Sequence, residues 1–122
     1  MVQNCQTFLS KIQQRIVKHM NSIIKIAHRY LDHVKKQGIP ITSAYLFGSF
    51  AKGTSKKHSD IDICLVSKSF GKDYFDEGVK LAHLTHKIDD RLEPHPMHPK
   101  DMEDKYSTFA HEIKTHGILL TK

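Results

Sequence analysis

Three features of this 122-residue sequence predict an α/β fold: a short mixed sheet covered by helices, with a helical extension at the N-terminus. The first is a set of strand-like runs at residues 43–47, 60–66 and 90–97. The second is an apolar stripe at helical spacing through the N-terminal third. The third is the pair Gly48-Ser49, followed after ten residues by Asp60-Ile61-Asp62. At ordinary residue frequencies that spacing arises in about one chain in a thousand of this length.

In the stripe, Phe8, Ile12, Ile16, Met20, Ile23, Ala27, Tyr30, Leu31 and Val34 follow one another in steps of three or four, apart from the adjacent pair Tyr30-Leu31. One face of a helix is therefore apolar. Gly38 and Pro40 end it, and Asn21-Ser22 is a place where it could divide into two helices. Ser43-Ala44-Tyr45-Leu46-Phe47 then reads as a buried strand that stops at Gly48. Gly48, lacking a Cβ, lets backbone come close to a ligand. Ser49 starts a short helix through Phe50-Ala51-Lys52, which puts its hydroxyl and free N–H groups where an anion can be bound. Lys52, Lys56 and Lys57 add positive charge nearby.

In a strand over 60–66, Asp60 and Asp62 project to one side while Ile61 and Ile63 project to the other. Two neighbouring carboxylates repel each other unless a cation lies between them, and Mg²⁺ favours such oxygens while leaving room for phosphates. A site for phosphoryl transfer with two metal ions also wants a third acid. Glu93 in the extended run 90–97 is the best placed, sharing a strand face with Arg91 and His95; Asp89 and Asp90 compete, but fall where the preceding helix should end. That helix is expected over 73–88, with Phe75, Val79, Ala82 or His83, and His86 on one side. Pro99 opens a further helix toward His111, with Asp101, Glu103 and Asp104 near its start. The spacings His83-x-x-His86 and His95-x-x-His98 match no zinc pattern, so the histidines are read as surface residues.

Composition narrows the classes. There is no apolar run of membrane length and no signal-peptide pattern, so a soluble cytoplasmic protein is expected. Cys5 and Cys64 alone give neither a disulfide framework nor a cysteine-ligated zinc site. The net charge of +6 suits ATP, RNA or an acidic partner, but bears on association and not on chemistry.

The run GSFAKGTSKKHSDIDICLV resembles the G-S-x10-D-x-D signature of the polymerase-β-like nucleotidyltransferases. RLEPHPMHPKDMED and the Ile-Lys-x-x-Gly-Ile-Leu-Leu tail are similar to the third-strand and C-terminal region of that superfamily's minimal nucleotidyltransferase branch. The resemblance implies that Asp60, Asp62 and Glu93 bind Mg²⁺, two ions in all, or activate an acceptor hydroxyl. It gives Gly48 and Ser49, helped by Lys52 and Lys57, the triphosphate of ATP. One departure stands out: Phe50 follows Gly-Ser where many members have Arg.

For this branch the resemblance implies an antitoxin that adenylylates a helical HEPN ribonuclease, with no direct contact to nucleic acid and with homo- or hetero-oligomers open. Modification of a small molecule such as an antibiotic, or neutralisation by occlusion without catalysis, are the alternatives. The nucleotidyltransferase domain is expected over 21–122, where residues 22–36 cover the sheet as the family's first helix does. Residues 1–20 are then a surplus helical extension that packs on the domain, on itself or on a partner. Lys11, Arg15 and Lys18 beside it favour an acidic surface.

Overall fold

The computed structural model describes residues 2–53, 55 and 59–121, with side chains described within 10–120. Its first element, α1 (Val2–Lys36), is one uninterrupted helix. The division that Asn21-Ser22 would allow does not occur. Both side chains face solvent, so neither competes with the helical hydrogen bonds, and their modest propensity cost is too small to end a helix. Gly38, at φ 85°, terminates it as a left-handed residue can.

Four strands follow, in the spatial order β3-β2-β1-β4: β1 (Ser43–Phe47), β2 (Ile61–Val66), β3 (Leu92–Met97) and β4 (Ile118–Thr121). β1 pairs antiparallel with β2 and β4, while β2 and β3 run parallel, so the sheet is mixed as expected. A parallel pair needs a crossover, and α3 (Tyr74–His83) supplies it. β4 was not among the expected strands. Its run of Ile118-Leu119-Leu120 has no alternation, and such a short apolar run does not distinguish strand from helix.

Period-two alternation sends the strand residues to two faces. On the first, Ala44, Leu46, Ile61, Ile63 and Leu65 meet the C-terminal half of α1, whose Ile23, Ala27, Tyr30, Leu31 and Val34 are buried. The Tyr30 hydroxyl donates to the Leu81 carbonyl at 2.8 Å, tying α1 to α3, and burial pushes the phenol far above its ordinary pKa. On the second face, Phe47, Cys64, Val66 and Met97 meet Met102 of α4 (Pro99–Glu103) and Ala110 and Ile113 of α5 (Thr108–His116). Burial raises the Cys64 thiol to about 12, so it is an inert core residue.

Two helical expectations need correction. Asp73 caps α3 by accepting from the Asp76 N–H at 3.1 Å, but the helix ends at His83, and its buried residue is Leu81. The expected stripe faces outward, with Phe75 83% exposed and Val79 39% exposed. Beyond His83 the chain turns with i→i+3 bonds, and the Thr85 hydroxyl donates to the Ala82 carbonyl at 2.7 Å. The helix from Pro99 divides at Asp104–Ser107. There the Asp104 carboxylate accepts from Tyr106 N–H at 2.9 Å, and Ser107 caps α5 by accepting from Ala110 N–H at 3.1 Å.

Candidate active site

Strand parity and register assemble the site. On the second face the parallel register aligns Asp62 with Glu93, Cys64 with His95 and Val66 with Met97. α4 and α5 cover the Cys64–Val66–Met97 end. Asp62 and Glu93 lie at the other end, their side chains 22% and 52% exposed. Asp60 is exposed just before β2 and acts electrostatically on both carboxylates. Of the rivals for third acid, Asp89 is held by Arg91 through contacts of 2.9 and 3.1 Å, and exposed Asp90 lies 3.6 Å from His86. Glu93 is the acid brought beside Asp62.

The turn after β1 closes on the same place. Phe47 is the cross-strand partner of Asp62, and Gly48 follows at φ 74°. A Cβ on Gly48 would run into the Asp62 carboxylate, so both backbone conformation and space require glycine. Ser49 begins the short helix α2 (Ser49–Lys52), as expected. Phe50 is fully buried in the first core, with its ring 5.7 Å from that of His19. In this geometry the position after Gly-Ser belongs to the core. Lys52 is ion-paired with Glu112 of α5, which holds that carboxyl below its usual range. Lys56 and Lys57 lie outside the described residues.

Burial raises the pKa of Asp62; His95 works against that rise and Asp60 adds to it. Glu93 is also raised, by burial first and then by the charge of Asp62. Carboxylates that resist ionisation together fit a cation, and their oxygens are the donors Mg²⁺ prefers.

His95 was grouped with the surface histidines, and the structure corrects this. Its Nε2 lies 3.6 Å from Asp62 Oδ1 and 3.8 Å from Glu93 Oε1. The atom is buried with no hydrogen-bond partner among the described residues. Ligand atoms of Asp62, Glu93 and His95 all fall within 4.8 Å of one another. The available signal was parity: His95 is two residues beyond Glu93, hence on its face. His95 also borders a cleft of about 420 Å³ shared with Tyr74, Asp101 and Phe109. The Tyr74 hydroxyl donates to the Asp101 carboxylate there, and its pKa rises to about 12.

Solved structures share the fold. One from Sulfolobus solfataricus, described as a nucleotidyltransferase, superposes with a TM-score of 0.63 at 19% identity, covering 85% of this chain and 84% of that one. A toxin–antitoxin structure with AMP-PNP gives 0.57 at 23% identity over 76% and 71%. A mutant of the toxin–antitoxin MntA-HpeT gives 0.57 at 22% identity over 78% and 71%. No curated protein is detectably similar in sequence. No helix among the described residues is long and apolar enough to cross a membrane. The family model "Polymerase beta, Nucleotidyltransferase" matches residues 21–122, and the chain belongs to that family.

Proposed function

We propose that this chain is a cytoplasmic antitoxin that transfers AMP from ATP to a hydroxyl of a HEPN-type toxin, in a Mg²⁺-dependent reaction. The observation that carries the reading is Asp62 paired in register with Glu93, with the Gly48 turn closed against Asp62. The fold shared with toxin–antitoxin structures supports the antitoxin assignment. Two Mg²⁺ ions, held by Asp60, Asp62 and Glu93, would neutralise the triphosphate and favour ionisation of the acceptor hydroxyl.

The remaining work belongs to the chain. Gly48 leaves room for the Asp62 carboxylate against the backbone, and Ser49 with the neighbouring N–H groups donates to phosphate oxygens. Lys52, shared with Glu112, and Lys57 add charge. The acceptor oxygen bonds to the α-phosphorus as the bond to pyrophosphate breaks, and its proton passes to a carboxylate. Glu93, the more exposed of the paired acids, is the acceptor of that proton.

Residues 1–20 form the arm that captures the toxin. Ile16 and Val17 on this part of α1 are 60% and 56% exposed, beside Lys11, Arg15 and Lys18. The same exposed surface favours a second reading, neutralisation by occlusion without catalysis. Incubation with ATP labelled at the α-phosphate, Mg²⁺ and a purified HEPN-type toxin separates the two. The expected result is labelled AMP on a toxin hydroxyl, lost in Glu93→Gln. Toxin neutralised with no label transferred would establish occlusion instead.

A further inference from the structure

We propose that His95 Nε2 is a third ligand of the ion held by Asp62 and Glu93, and that this nitrogen makes the position favour first-row transition dications over Mg²⁺. The inference rests on the metal-binding reading above for the two carboxylates alone; the role of His95 stands on its own geometry. At 3.6 and 3.8 Å from the two carboxylate oxygens, Nε2 is too far for hydrogen bonds. Two ligands of one ion, each about 2.1 Å from it, are at most about 4.2 Å apart, and both distances fit within that span. A buried ring nitrogen with no hydrogen-bond partner among the described residues is costly, and a shared ion removes the cost.

The ring is also held in place. Phe47 meets it edge-on at 5.1 Å between centroids, and Phe109 packs at 5.7 Å. Pro94 and Pro96 flank His95 and stiffen β3, which tolerates them because it is an edge strand. Mg²⁺ prefers an all-oxygen shell and keeps its waters, whereas imidazole nitrogen strengthens binding along the first-row series. An imidazole fixed between two carboxylates therefore selects among ions.

Mn²⁺ is the probe, added to the full chain without nucleotide. Its affinity is read from the free-ion electron paramagnetic resonance signal, with Mg²⁺ as competitor, and pulsed measurements report ¹⁴N coupling to the bound ion. The wild-type protein should show that coupling and bind Mn²⁺ more tightly than Mg²⁺. His95→Gln, which offers an oxygen in place of the nitrogen, should lose the coupling. It should weaken Mn²⁺ binding by about tenfold or more, the scale on which even outer partners of a metal act. Mg²⁺ affinity should change far less. Ten histidines are present, so loss of coupling on this one substitution assigns the ligand.

If His95→Gln raises affinity for both ions alike, His95 is a counter-charge and the proposal falls. Absence of ¹⁴N coupling in the wild type overturns it without any variant. Asp62→Asn separates the two readings: unchanged Mn²⁺ binding there defeats the carboxylate site itself. Binding lost in Asp62→Asn but untouched in His95→Gln defeats only the inference about His95.

Discussion

The second face of the sheet has two ends built from the same strands. Toward one end Cys64, Val66 and Met97 are sealed beneath α4 and α5; toward the other lie the partly exposed Asp62 and Glu93, and His95 joins them on the same face. A single period-two register supplies both, so one strand pair makes core and chemistry at once. The covered end stabilises the fold by burying apolar surface. The open end opposes folding slightly, because its carboxylates are partly desolvated beside one another. The difference predicts that substitutions at the two ends have opposite signatures.

The largest effect is expected at Asp62. Asp62→Asn removes a charge from the proposed ion site and should lower the proposed AMP transfer by about a thousandfold or more, the several kcal/mol that bound metal ions supply to such a step. The melting temperature of the ion-free protein should hold or rise. Single-turnover transfer and thermal denaturation on one preparation check both halves. Lost stability together with lost transfer would mean that Asp62 is structural.

Ile113→Ala tests the covered end. Emptying a fully buried isoleucine position should cost about 2–5 kcal/mol of stability in denaturant titration. Transfer per folded molecule should stay near the wild-type rate. If the folded fraction is also inactive, the two ends are coupled and the division fails.

Gly48→Ala probes the place where the turn touches the open end. Holding a non-glycine residue at φ 74° should cost about 1–3 kcal/mol, and pressing a methyl into the Asp62 carboxylate should add to that loss. Combining it with Asp62→Ala removes the clash but not the backbone strain. The double variant should therefore be more stable than the sum of single losses predicts, by a measurable coupling energy. Strict additivity would put the whole effect in the backbone.

Legibility in the sequence followed the range of the interactions. The strands over 43–47, 60–66 and 90–97 were readable to within two residues at either end, because alternation and turn residues are local signals. The juxtaposition of Asp62 with Glu93 is not local: strand parity and the family resemblance both named Glu93, but the parallel register set through α3 that brings it beside Asp62 leaves no local signal. His95 was missed because a spacing search for zinc ligands looks along the chain, while its partner Asp62 lies on another strand. α3 misled because its apolar stripe, with Phe75 and Val79, faces solvent while Leu81 does the packing. The uninterrupted α1 was hidden by Asn21-Ser22, whose local preference was outweighed by helix on both sides.

The smallest expected effect is a pH dependence confined to the open end. Burial raises the folded-state pKa of Asp62 above its ordinary 3.8, and Glu93 rises likewise above 4.5. The folded protein thus holds protons that the unfolded chain releases. That contribution is fully favourable below the ordinary values and is lost as pH rises through the raised ones. Asp62→Asn has no such proton to lose. Without metal it should be the more stable form near neutrality, and the gap should close as pH falls through the raised Asp62 value. A divalent cation should reverse the order at neutral pH by stabilising only the wild type. Melting temperatures of the two proteins between pH 4 and 7, in chelator and then in metal, measure this. A gap that widens on acidification in chelator would show that the surroundings of Asp62 already stabilise its charge, and would remove the argument that this end of the sheet is built around an ion.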